Sequence, residues 1–273
     1  MFDDKELLML LKRTAMRAGN IVLSYFNRVS SLEKADHSLI TKADLASDEF
    51  INEELSPLGF NLIDEEKGFV DKGSEYTLVI DPLDGTTNFF LGIPFFNISI
   101  ALFKDKKPLI GVVFNPVSKE LFFALNGEGA FVDRYDKKKD YYELLSSDRL
   151  LLSEALDFRS SVLTFCHKND PVSLSKAVKL FDYFKHLNPK FRQLGAAALE
   201  LCLLAQGKTA FFIMPGINLW DVAAGALIAK EAGLLLTDFS GRPFDIDSKE
   251  LLATNKVYHE ELLKIINEVL KKH

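Results

Sequence analysis

Asp81 and Asp84 stand three residues apart where the apolar run Leu78-Val79-Ile80 stops, and Gly85, Thr86 and Thr87 follow at once. An apolar run that ends in two acids puts carboxylates at the end of a buried strand. Pro82 fixes its own φ and biases Asp81 toward extended backbone, while Gly85 permits a close or positive-φ turn, so both carboxylates can be held toward one point. Oxygen donors of this kind suit a hard cation such as Mg2+, and the Leu83 carbonyl can add another. Read alone, the same residues also fit a solvated Asp-Pro turn.

The elements around this segment follow from periodicity. Over residues 5–26, Leu7, Leu8, Leu11, Ala15, Ala18, Val22 and Phe26 predict an amphipathic helix. A polar stretch over residues 28–38 breaks the pattern and is a candidate lid. Thr41 then opens a second helix through Phe50, Ile51 and Leu55 that stops before Pro57. Residues 96–103, 108–114 and 120–125 read as antiparallel meander strands, and residues 133–148 as a charged, irregular region. Beyond it come a strand over 162–166, a helix over 174–186 and a buried helix over 196–204 opened by Gly195. A strand over 209–213, a helix over 219–232, a strand over 234–237 and a closing helix over 258–270 complete the chain. Such an α+β order favours stacked helices and sheets within one globule.

Composition narrows the function classes. With 273 residues, 48% of them hydrophobic, the chain can bury the core of one large domain or two fused ones. A net charge of −6 with both signs interspersed argues against a nucleic-acid binder that works by phosphate neutralisation. The tract Lys137-Lys138-Lys139 sits among Asp133, Asp136 and Asp140 and reads as a solvated loop. Cys166 and Cys202 lie in apolar stretches without metal-ligand spacing, as buried reduced thiols do. Together with an acidic start and no bilayer-spanning run, they predict a cytoplasmic protein without a membrane role.

Three blocks carry a resemblance: Ile63-Asp64-Glu65-Glu66, the segment from Val79 to Phe89, and Trp220-Asp221-Val222-Ala223-Ala224-Gly225 with its continuation to Gly233. In order and spacing they resemble the inositol monophosphatase family, Mg2+-dependent and typically lithium-sensitive sugar- and inositol-phosphate phosphatases. The resemblance implies an alternating α-β-α-β-α layered sandwich of the inositol monophosphatase and fructose-1,6-bisphosphatase type. It would be one domain over residues 1–273, with halves 1–140 and 141–273 meeting at the site. It implies metal ligation by Glu65, Asp81, the Leu83 carbonyl, Asp84 and Asp221, with two or three Mg2+ ions. Four ionised carboxylates in one cleft carry about four negative charges, which cations must offset.

The implied reaction is hydrolysis of a phosphate monoester by activated water, with no covalent phospho-enzyme. Glu65 and Thr86 would orient the water, and Asp44 would bond the Thr86 hydroxyl. Each has a plainer alternative: Thr86 as a helix cap, Asp44 as polarity on the second helix, Glu66 in place of its neighbour Glu65. Backbone donors at Gly85, Thr86 and Thr87 would receive the phosphate, and Gly195, Ala196 and Asp221 would complete the substrate site. The substrate class is a small phosphorylated polyol or sugar, inositol 1-phosphate first. Fructose 1,6-bisphosphate, histidinol phosphate and 3′-phosphoadenosine 5′-phosphate are the alternatives. A homodimer is implied, and so is a non-enzymatic alternative, partnership with RNA polymerase in transcription antitermination.

The chain departs from the family at one wall position. Inositol-specific members commonly carry a glutamate seven residues before the aspartate of the third block, and Met214 stands there. A thioether is a weak acceptor, so that contact to a sugar hydroxyl is missing or supplied elsewhere. Lys34, in the candidate lid, stands where the family often has a basic residue. The five histidines show no ligand spacing and read as surface or structural groups.

Overall fold

A computed structural model describes residues 3–28, 31–33, 39–139, 141–152 and 155–271. Lys34 and most of the candidate lid lie outside these residues. In chain order the elements are α1 (Asp4–Tyr25), β1 (Ser31–Glu33), β2 (Leu39–Thr41), α2 (Lys42–Leu55), β3 (Asn61–Asp64), β4 (Gly68–Val70), β5 (Tyr76–Asp84) and α3 (Thr86–Phe90). There follow β6 (Asn97–Lys104), β7 (Lys107–Asn115), β8 (Glu120–Leu125), β9 (Gly129–Lys137), β10 (Tyr142–Leu150), β11 (Leu163–Phe165) and α4 (Pro171–Leu187). The last are β12 (Phe191–Arg192), α5 (Ala197–Ala205), β13 (Phe211–Pro215), α6 (Leu219–Glu231), β14 (Leu235–Thr237), β15 (Glu250–Thr254) and α7 (His259–Lys271). Among the described residues no helix is long and apolar enough to cross a membrane.

Two sheets lie between three helical layers, giving the α-β-α-β-α order. The larger has eight strands in the order β10-β9-β8-β7-β6-β5-β3-β4, the smaller five in the order β12-β11-β13-β15-β14. Alternation along the strands sorts their side chains between layers. Ile98, Ile100 and Leu102 of β6 face α1 and α2, while Ala101 and Phe103 face α5 and α6. Phe212 and Met214 of β13 meet the other side of α5 and α6, while Phe211 and Ile213 meet α4 and α7. Because both sheet faces are covered, the central strands read as continuous apolar runs.

The middle layer is thin because its residues are small. A Cβ at Gly225 would stand 2.9 Å from Leu201 Cβ and 3.0 Å from Ala198 O. The Ala223-Ala224-Gly225 run thus lets α6 press on α5, which fixes the first turns of both helices beside the ends of β3 and β5.

Two expectations change. The charged stretch 133–148 is not irregular: it forms most of the β9–β10 hairpin at the edge of the large sheet. An edge strand tolerates charges because one side faces water; Arg134 pairs there with Glu120 and Asp148, and Lys138 with Asp136 and Glu143. Strand β15, which the sequence did not single out, runs between β13 and β14.

Candidate active site

Strand β5 carries Asp81 and Asp84 to the end of the large sheet, and the parallel neighbour β3 stops at Asp64, so Glu65 emerges beside β5 with its N–H on Ile80 O at 3.3 Å. Asp221 arrives on the first turn of α6. Glu65, Asp84, Gly85, Thr86, Thr87, Gly195 and Asp221 line one cleft of about 950 Å³. Asp81 (2% exposed), Leu83, Asp44 and Ala196 are buried behind that surface. Glu65 faces the cleft and its neighbour Glu66 is not among the lining residues.

Each carboxylate is held by a donor near it. Leu83 N donates to Asp81 Oδ1 at 3.0 Å, and Ser47 Oγ to the Pro82 carbonyl at 2.8 Å. Asp84 accepts from Asn97 Nδ2 at 2.7 Å and from the α5 amides of Ala197 and Ala198 at 3.2 and 2.9 Å. Asn218 Nδ2 donates to Asp221 Oδ2 at 3.2 Å. Gly85 adopts φ +92°, and a Cβ there would stand 3.0 Å from Phe95 O and 3.2 Å from Ala196 Cβ. A side chain at that position would push the Gly195–Ala196 loop off the β5 turn.

Asp44 joins α2 to this turn. Its Oδ2 accepts from Thr41 N at 2.8 Å and Thr41 Oγ1 at 2.5 Å, a capping box, and its Oδ1 accepts from Thr86 Oγ1 at 2.9 Å. The cap and the Thr86 contact therefore coexist on one carboxylate. The N-cap of α3 is Gly85 and no side chain caps that helix, so Thr86 is not spent as a cap. Its hydroxyl also lies 3.0 Å from Leu83 O.

Burial, then the mutual repulsion of Glu65, Asp84 and Asp221, raises Asp81 well above the usual carboxylate range. Asp221 is raised by burial and then by Asp84 and Glu65. Asp84 is pushed up to about 7 by burial, against the lowering effect of Asn97 and the two α5 amides. Asp44 is raised by burial, with Thr41 and Thr86 opposing.

Hard carboxylate oxygens destabilised by desolvation and by one another are a donor set that fits divalent cations such as Mg2+. Among the described residues, however, no three His, Cys, Asp or Glu side chains are already arranged to hold an ion.

A pH dependence follows from these shifts. Carboxyls whose folded pKa is raised contribute stability that is full below the unfolded value and lost as pH rises through the folded one, here up to about 7 for Asp84. In a chelator the melting temperature is expected to fall by about 5 °C or more between about pH 5 and about pH 8. If these carboxylates hold the cation, added Mg2+ should raise it more at the higher pH, where they are ionised. Differential scanning fluorimetry reads both effects, and an equal Mg2+ shift at the two pH values would remove these carboxylates from cation binding.

Several groups around the cleft escaped the sequence reading. Glu200 is fully buried, and its Oε1 accepts from Leu194 N at 3.0 Å, Gly195 N at 2.9 Å and Cys166 Sγ at 3.1 Å. It therefore pins the loop that carries Gly195. Asn88 Nδ2 ties α3 to the same loop through Leu194 O at 2.7 Å. Cys166, expected only as a buried thiol, and His167, expected at the surface, both line the cleft, as do Lys168 and Asn169. Their position just past the end of β11, a strand paired in parallel with its neighbours, was the available signal, since clefts in parallel sheets open at the carboxyl ends of strands.

A sequence model described as the inositol monophosphatase family matches residues 3–271. The chain is 34% identical over 266 residues to a Nus factor SuhB from Pasteurella multocida, covering 94% of each protein. It is 35% identical over 235 residues to a fructose-1,6-bisphosphatase from Pyrococcus furiosus, covering 84% of this chain and 82% of the other. Its fold superposes on an IMPase from Thermotoga maritima with a TM-score of 0.83 at 29% identity, over 98% of this chain and 99% of that one.

Proposed function

The chain belongs to the inositol monophosphatase family of phosphatases, and on that premise we propose that it is a Mg2+-dependent phosphomonoesterase acting on small phosphorylated polyols or sugars, inositol 1-phosphate among them. The observation that carries the reading is one cleft bringing Glu65, Asp84 and Asp221, with Asp81 beneath, against the Thr86–Asp44 hydrogen bond. Glu65, Asp81, the Leu83 carbonyl, Asp84 and Asp221 would hold the divalent cations, which would supply Lewis acidity and offset charge on the phosphoryl group.

The chain's own groups do the rest. Backbone N–H groups at Gly85, Thr86 and Thr87 receive the phosphate oxygens, and Gly195 and the buried Ala196 set the floor against which the substrate body lies. Thr86 Oγ1, donating to Asp44, keeps its lone pairs for the attacking water, and Glu65 takes part in orienting that water. With positioning and electrostatics carrying phosphoryl transfer, no histidine or cysteine nucleophile is needed; burial raises the thiol pKa of Cys166 well above its usual range. Phosphate release measured with and without Mg2+ across inositol 1-phosphate, fructose 1,6-bisphosphate, histidinol phosphate and 3′-phosphoadenosine 5′-phosphate tests the reading. No Mg2+-dependent release from any of the four would overturn it.

A homodimer accompanies this proposal. Helix α4 buries Ala177, Leu180 and Phe184 against the small sheet, yet Leu174, Val178 and Phe181 form a second, exposed apolar stripe at helical spacing. Sedimentation is expected to give twice the chain mass at micromolar concentration, and Val178→Glu to give a folded monomer. A monomer in the unsubstituted protein would refute the dimer. Similarity to a Nus factor supports a second, compatible reading, membership of a complex containing RNA polymerase, which affinity capture of the polymerase by tagged protein would test.

A further inference from the structure

We infer that the cleft holds a second anion subsite built on Lys168, which reads a further phosphate or other anionic group on the far end of the substrate; the inference rests on the phosphatase reading. Lys168 is the one lysine or arginine lining the cleft among the described residues, facing a site whose other charged lining groups are the carboxylates Glu65, Asp84 and Asp221.

The backbone under Lys168 is fixed. Past the end of β11 the chain runs beside β13 and the turn into α6, with Cys166 N donating to Ile213 O at 3.1 Å and Lys168 N to Gly216 O at 3.1 Å. Gly216 is five residues before Asp221, so the lysine is anchored to the wall that leads to the cation-binding end. Its side chain is exposed and makes no ion pair among the described residues. The neighbouring acid, Asp170, feels its charge but commits its oxygens to capping α4, accepting from Val172 N, Ser173 N and Ser173 Oγ. The ammonium is therefore available to a ligand.

The rest of the wall favours an anion over a hydroxyl. Met214 lines the cleft, is 2% exposed and packs among Cys166, Ala197 and Phe212, so it offers a sugar hydroxyl no strong acceptor. An ammonium is a point charge with three donors that grips a phosphate in many orientations, which suits the mobile end of a substrate fixed at its other end. The cleft, at about 950 Å³, lies near the upper limit of about 1,000 Å³ for small-molecule sites and has room for a bisphosphorylated sugar.

The test compares fructose 1,6-bisphosphate with fructose 1-phosphate, which differ only in the distal phosphate, in the Mg2+-loaded full-length enzyme. Lys168→Met should lower the ratio of their kcat/KM values roughly ten- to hundredfold, mainly through KM for the bisphosphate, and Lys168→Arg should restore most of it. The ratio in the unsubstituted enzyme should also fall as salt rises, because the contact is exposed. An unchanged ratio in Lys168→Met, whether both substrates fall together or neither does, would overturn the subsite while leaving the phosphatase reading intact. An unsubstituted enzyme that does not prefer fructose 1,6-bisphosphate to fructose 1-phosphate would overturn the subsite alone, whereas no Mg2+-dependent release from any of the four esters named under the proposed function would overturn the phosphatase reading, and this one with it.

Discussion

Replacing Asp221 by Asn is expected to lower kcat/KM for phosphate release by about 10²–10⁴-fold and, in a chelator at about pH 8, to raise the melting temperature. Two effects oppose each other in the folded protein. As an acid in the first turn of α6, Asp221 gains about 0.3–1 kcal/mol from the helix dipole. Burial, with Asp84 and Glu65 close by, opposes that gain and raises its pKa well above the usual carboxylate range. Asn keeps the shape and can accept the Asn218 bond through its carbonyl, so the substitution removes a penalty and leaves the packing. It also removes an anionic oxygen from the proposed cation site, and the activity loss should shrink as Mg2+ concentration is raised. Opposite signs for activity and stability separate a ligand from a scaffold residue. If phosphate release and melting temperature fell together, Asp221 would be structural.

The segment that ends β5 was legible because its chemistry is local: Ile80, Asp81, Pro82 and Gly85 dictate strand, carboxylate and turn within six residues. The buried helices were legible for a related reason, since the small residues of α6 and the apolar run of α5 have no solvent-facing alternative. Asp44 was named, but its burial was not foreseeable, because a capping acid and a relay acid look alike until Thr86 is placed 2.9 Å away. Glu200 was missed altogether, since an acid inside Ala197–Ala205 has no local signature. Its partners Leu194, Gly195 and Cys166 come from a loop and from beyond the end of β11, and only tertiary packing joins them. The β9–β10 hairpin was misread because its stabilisation comes from charge pairs across an edge, which leave no apolar alternation on the exposed strand.

Thr86→Ala is expected to reduce kcat by about 10²–10³-fold while changing KM little, and Thr86→Ser to retain most of the turnover. The hydroxyl has one proton and two acceptors within reach, Asp44 Oδ1 at 2.9 Å and Leu83 O at 3.0 Å. An ionised carboxylate is the stronger acceptor, so the proton goes to Asp44 and the oxygen lone pairs are left to receive a proton from water. Asp44 cannot swing away, because Thr41 holds its other oxygen through two donors. Asp44→Asn keeps an acceptor for the cap but presents N–H groups to Thr86, which reverses the direction of that hydrogen bond. It should therefore cost turnover without unfolding α2. Since both residues act through one proton, Thr86→Ala should cost far less in the Asp44→Asn background than alone, as linked groups do. Steady-state kinetics on the two single variants and the double variant decide the matter. Additive losses would separate Thr86 from Asp44, and a loss confined to KM would make Thr86 a substrate-binding group rather than part of a proton relay.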